Sequence, residues 1–190
     1  MSLQPNVRLV SVGTGGILAD RFNATWIAQQ YLPPTAFNER TTLILDLKGM
    51  DATPGALQNL ILPIAQKIRD GVCGPVKLVL ATSDPAIADF IRFLAQSHAL
   101  PIFLVSSPED LRDARPAGKL SGTEEETLSA LLQLNGEASS PTIAERFAIE
   151  LTAANNRLVN LEKKGYLFRV TKGGREADVF IDPRVTSPSN

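Results

Sequence analysis

The chain of 190 residues contains one cysteine, Cys73, and one histidine, His98. A lone cysteine excludes an intramolecular disulfide. The pair is too poor a set of soft ligands for a Cys/His zinc site. The same scarcity removes the usual nucleophilic triads. No apolar run reaches the ~18 residues of a membrane-spanning helix. No basic segment followed by an apolar one opens the chain, so no secretory signal is expected and the expected location is the cytoplasm. Neither sign of charge is in excess, because 19 Lys and Arg stand against 20 Asp and Glu. Taken alone, that balance argues against a nucleic-acid partner. Nucleotide loops are missing too. "GTGG" (13–16) follows a strand-like run, but Leu18 occupies the place of the last glycine in G-x-G-x-x-G, and no G-x-x-x-x-G-K-[ST] occurs. The cluster reads as a turn.

What is present is an ordinary globular composition, 44% apolar and 21% charged, enough for one large or two small domains. The near-neutral total hides a segregation. Between 157 and 175, Arg157, Lys163, Lys164, Arg169, Lys172 and Arg175 face only Glu162, a local charge of +5. Acid gathers elsewhere, as in Glu124, Glu125 and Glu126. A one-sided electrostatic footprint needs such a distribution.

The pattern changes at "DARPAGKLSG" (113–122), the best linker candidate. Before it, strand-like runs at 7–12, 41–47, 76–82 and 101–106 alternate with helical spacing at 20–32, 53–68 and 84–96, and a short helix is expected at 107–114. Alternation of this kind predicts an α/β unit with a mostly parallel sheet. Thr53 and Pro54 read as N-cap and first residue of the second helix, in which Pro63 should cause a kink. After the linker, helices are expected at 124–134, 139–147 and 151–164, then two strands around "KGG". The division is therefore 1–115, a linker at 116–122, a second domain at 123–183 and a disordered tail at 184–190.

Three helices and a hairpin make a winged helix-turn-helix arrangement. "LSALLQLNGEASSPTIAERFAIELTAANNRLVNLEKKGYLFRV" resembles the winged-helix domains of MarR-like bacterial transcriptional regulators over about 125–182. That resemblance implies a third helix in the major groove and a wing on the DNA backbone or minor groove. Helical spacing agrees with it. Leu151, Ala154, Leu158 and Leu161 point inward, leaving Thr152, Ala153, Asn155, Asn156 and Asn160 outward. Asparagine pairs bidentately with adenine, and Ala or Thr methyls meet thymine. Arg157, Lys163, Lys172 and Arg175 are the candidate phosphate contacts. One winged helix covers a short half-site, so a homodimer on duplex DNA is expected.

The first half is similar to the STAS family of anti-sigma-factor-antagonist-like domains. The likeness runs through "GGILADRFNATWIAQQYL", "TTLILDLKGMDATPGALQNL" and "SDPAIADFIRFLAQSHALPIFLVSSPEDL", about 7–114. The family's loop before its helix carries a phosphorylatable serine. Here that loop is "DATPG", with Thr53 as its only hydroxyl. Thr53, with Asp51 in the same loop, is the candidate regulatory site, although Thr53 reads more readily as a plain helix cap than as a phosphosite. The fold expected is thus a STAS-like α/β domain with a mixed sheet plus a winged helix-turn-helix. The expected function is bacterial transcription regulation, without catalysis, metal or cofactor. A protein partner or small effector is expected at the STAS-like domain, and no membrane. The alternative is a partner-switching protein whose two domains both bind proteins. A third reading is an enzyme using the strand-end carboxylates Asp46, Asp51 and Asp84.

Overall fold

The computed structural model describes residues 3–12, 17–18, 37–172 and 177–186. The helix expected at 20–32, the 13–16 turn, the hairpin tip with Arg175, and 187–190 lie outside the described residues.

The described chain is a mixed α/β protein built on a mixed sheet. Strands β1 (Asn6–Ser11), β3 (Thr41–Asp46), β5 (Val76–Ala81) and β6 (Ile102–Val105) lie side by side in chain order, all parallel. The two-residue β7 (Arg115–Pro116) closes the far edge antiparallel to β6. A separate two-residue pair joins β2 (Ile17–Leu18) to β4 (Asp51–Ala52). The crossovers include α1 (Pro54–Arg69) and α2 (Pro85–Ser97). Both start where the sequence puts a cap. Thr53 Oγ1 accepts the Ala56 N–H, and Asp84 Oδ1 accepts those of Ala86 and Ile87. Helix α1 runs on through Pro63.

The central strands read as unbroken apolar runs because both faces of the sheet are covered. Leu43, Leu45, Leu78, Leu80 and Ile102 face α1 and α2, forming a core with Leu57, Leu60, Ile61, Ile64 and Ile91. Their neighbours point the other way. In register across the strands stand Leu9, Ile44, Val79 and Phe103; the C-terminal third of the chain covers Ile44, Val79 and Phe103, while Leu9 on the edge strand stays half exposed. That third comprises α3 (Gly122–Gln133), β8 (Glu137–Ser139), α4 (Ser140–Phe147), α5 (Leu151–Lys163), β9 (Phe168–Val170) and β10 (Val179–Ile181). Its small antiparallel sheet has the order β8-β10-β9. Leu128, Leu131, Ile143, Leu158, Leu161, Tyr166 and Phe180 share one core with Ile44, Val79 and Phe103. Tyr166 meets Phe103 edge to face at 5.3 Å, a favoured ring geometry.

Segment 116–122 packs against this assembly. The Ala117 N–H donates to Ile102 O, Ala117 is buried, and Leu120 lies against the second core. At its end Ser121 and Glu124 form a reciprocal capping box that starts α3. The short helix expected at 107–114 is a single 3-10 turn, Leu111–Asp113. Nine residues, 106–114, join β6 to β7, and part of that length is spent in reversing the chain to lay β7 antiparallel to β6. Arg184 and Val185 do not belong to the disordered tail expected from Arg184 onward. Arg184 and Val185 are buried, because the guanidinium finds a carboxylate and two carbonyls inside the protein.

Helix α5 is capped by Lys164 and followed by Gly165, where φ is +87°. A Cβ there would stand 2.7 Å from Pro101 Cγ, in the loop leading to β6. Gly165→Ala combines a left-handed backbone with a clash against a rigid ring, so it is expected to cost roughly 2 kcal/mol or more. A urea midpoint lowered accordingly, with unchanged slope, is the check.

Candidate nucleic-acid interface

The candidate surface is built on α5. Ala154, Leu158 and Leu161 are fully buried and anchor the helix in the second core. Thr152, Ala153, Asn155, Asn156, Asn160 and Lys163 are exposed. At 3.6 residues per turn, Thr152, Asn156 and Lys163 fall almost in one line along the helix, with Asn160 beside them. Leu151 is a correction. Expected inward, it is 55% exposed. It stands at the flank of the buried stripe and is the first helical residue, so no preceding turn covers it.

Helix α4 meets α5 through a three-residue connection, 148–150, in which Ala148 closes α4 at φ +51°. The two helices are held at their starts by a hydrogen bond from Ser140 Oγ to Asn155 Oδ1, 3.1 Å. Asn155 is therefore partly occupied in positioning the helix. Asn156 and Asn160 carry exposed amides with no such bond described.

The cations of 157–175 divide into two groups. Lys164 Nζ lies 2.7 Å from Glu124 Oε1. Burial pushes the Glu124 carboxyl up, but the hydrogen bonds from Lys164 and Ser121 outweigh it and hold the group below its ordinary range. Arg169 Nε donates to Asp178 Oδ2 at 2.7 Å across the β9–β10 pair. Arg157 is half-buried. Its guanidinium stacks on Phe147, 5.0 Å from the ring centre, and its Nη1 is buried without a hydrogen-bond partner. Lys163 and Lys172 are exposed, the latter just past β9. The local charge therefore exceeds the charge presented to solvent, because Glu124 and Asp178 neutralise two members from outside the counted stretch.

Sites singled out in the other half resolve as follows. Thr53 is exposed and caps α1, with 3.3 Å from Oγ1 to Ala56 N. Thr53→Ala is expected to cost ~1 kcal/mol and Thr53→Ser to be nearly neutral in thermal unfolding. Asp51 lies in β4, Asp46 accepts the Lys48 N–H, and Asp84 caps α2. Cys73 is buried, and burial pushes its thiol up, away from reactive thiolate. His98 is the C-cap of α2. Among the described residues no group of three His, Cys, Asp or Glu could hold a metal ion, and no helix is long and apolar enough to cross a membrane.

Two features escape a reading of motifs. One is the buried pair Asp182–Arg184. The other is Lys77, a lysine inside an apolar strand, whose ammonium lies over the Phe168 ring at 5.4 Å. The lysine in "VKLVLAT" was the available signal, since a central strand rarely takes a charge without a use for it. No protein-family model matches the chain, and no curated protein sequence does.

Proposed function

We propose that the protein is a DNA-binding transcriptional regulator, with a winged helix-turn-helix formed by α3–α5 and β8–β10 and a STAS-like sensing or docking half formed around the parallel sheet. The observation that carries the reading is α5 itself. One side is locked into the core, and the other turns Thr152, Asn156, Asn160 and Lys163 to solvent in a line suited to a groove. Asparagine is a poor helix former, so a merely solvated face would be cheaper as Glu, Lys or Gln. Asn156 and Asn160 read adenine edges, Thr152 and Ala153 offer methyls to thymine, and Lys163, Lys172 and Arg175 meet phosphates. The protein acts as a cytoplasmic homodimer, each chain covering one half-site, and does not act as an enzyme. Support for the STAS-like reading comes from the loop after β3, which leads through Asp51 to the Thr53-capped start of α1.

Retention on a duplex-DNA column at low ionic strength, lost as salt rises, with two chains per bound duplex, is the expected result. Failure to bind at low salt overturns the reading. The partner-switching alternative then gains, and a specific feature favours it. Leu151 is exposed at the start of α5, and Lys164 and Arg169 are held in ion pairs, as on a face made for protein.

A further inference from the structure

A cleft of about 680 Å³ opens at the seam between the sheet and the C-terminal third. Its floor is the amino-terminal edge of the parallel strands, with Asn6 opening β1, Arg40 preceding β3 and Lys77 in β5. Its other wall is Glu162 of α5 with Phe168 and Arg169 of β9. The volume falls within the range of small-ligand sites. Lys77 occupies the second face of β5, in register with Thr42, and is half-buried. Among the described residues no carboxylate comes within ion-pair distance of its ammonium. Its close neighbour is the Phe168 ring. Burial pushes the amine down to about 8, against the opposing pull of Glu162. Arg40 spends one donor on Leu3 O, and Glu39 is turned to Asn6 at 2.7 Å. The lining charges nearly balance, since Arg169 is paired with Asp178 and Glu39 and Glu162 stand against Arg40 and Lys77, but the Lys77 ammonium itself has no described carboxylate in contact and lies next to a flat apolar wall. Retaining a half-buried ammonium without a partner is costly, and an external anion would relieve that cost.

We infer that this seam cleft is a binding site for a small organic anion, a carboxylate or a phosphate ester, with Lys77 and Arg40 as its charge partners and Phe168 as the wall for its carbon skeleton. The inference stands apart from the DNA reading, since nothing in it requires α5 to meet a nucleic acid. Binding needs the Lys77 ammonium, so affinity falls as pH rises through about 8. The charged groups facing it there are Glu39, Arg40, Glu162 and Arg169.

The full chain is treated with pyridoxal 5′-phosphate, an anionic aldehyde, and with 5-deoxypyridoxal, which lacks the phosphate. The lysine amine adds to the aldehyde carbon, water leaves, and borohydride reduces the imine to a stable amine for peptide mapping. At pH 7.5, Lys77 should be labelled at least roughly tenfold faster by the phosphorylated probe than exposed Lys48 or Lys119, because more of it is unprotonated. Inorganic phosphate or succinate should slow labelling of Lys77 and spare Lys48. Protection by one competitor alone narrows the ligand to that class. In Arg40→Gln, Lys77 should stay reactive but lose its preference for the phosphorylated probe. Equal labelling of all lysines, equal rates with the two probes, or no protection by either anion overturns the inference.

Discussion

Replacing Arg184 by alanine is expected to destabilise the protein by about 3–5 kcal/mol, with a fall in melting temperature of roughly 10 °C for a chain of this size. Arg184 is 3% exposed and Asp182 is fully buried. The guanidinium donates to Asp182 through Nε at 2.9 Å and Nη2 at 2.6 Å, to Ala114 O at 3.0 Å and to Leu128 O at 3.2 Å. It also lies over the Phe103 ring, 5.0 Å from its centre. One side chain thus ties the end of the chain to the sheet edge, to α3 and to the second core. Its removal strands a buried carboxylate, which costs far more than the net worth of an intact pair. Changing Asp182→Asn together with Arg184→Met removes both charges and should recover part of the loss. A shift below about 2 °C for Arg184→Ala would mean that the guanidinium is not desolvated in solution.

The second large effect lies on α5. Asn156→Ala is expected to weaken binding to a preferred duplex by ~1–3 kcal/mol, roughly five- to 150-fold, and to change binding to a scrambled duplex little. Lys163→Ala should weaken both duplexes alike. With Lys164 held by Glu124 and Arg169 by Asp178, at most about four of the six cations of 157–175 are left for phosphates, and the log–log salt slope should be no steeper than roughly −4 per chain. Lys163→Ala should flatten it by about one. Asn155→Ala should differ from Asn156→Ala by also lowering the melting temperature, because it frees Ser140 from its partner. Anisotropy titrations at two salt concentrations measure all of these. If Asn156→Ala affects both duplexes equally, α5 does not read bases.

The sequence revealed much of this molecule, but unevenly. The strands at 41–47 and 76–82 and the helices at 53–68 and 84–96 were legible because apolar spacing and caps agreed, with Thr53-Pro54 and Asp84-Pro85 marking helix starts. The buried face of α5 was legible from Ala154, Leu158 and Leu161, whereas Leu151 was not, since periodicity says nothing about where a helix outruns its neighbours. Strands β7 and β8 were missed because two or three residues carry no alternation. The cationic count over 157–175 overstated the surface charge because the partners, Glu124 and Asp178, lie outside the counted window. The same blindness to distant pairing made Arg184 and Val185 look like the start of a loose tail. Only the fold brings Arg184 to Ala114, 70 positions earlier.

The sheet's two faces also differ in time. The helices that cover Leu43, Leu78 and Ile102 come from within the same stretch of chain as the strands themselves. The face carrying Ile44, Val79 and Phe103 is covered by segments that follow β6, and its last fastening, the Thr42 hydroxyl donating to Pro183 O with Arg184 beside it, belongs to the final residues described. A ribosome adding roughly 5–20 residues per second takes on the order of ten seconds to travel from Val105 to Val185. A sheet that formed in that interval would carry one face, with Ile44, Val79 and Phe103, open to water. The order in which the chain is made thus sets how long that face waits for its cover.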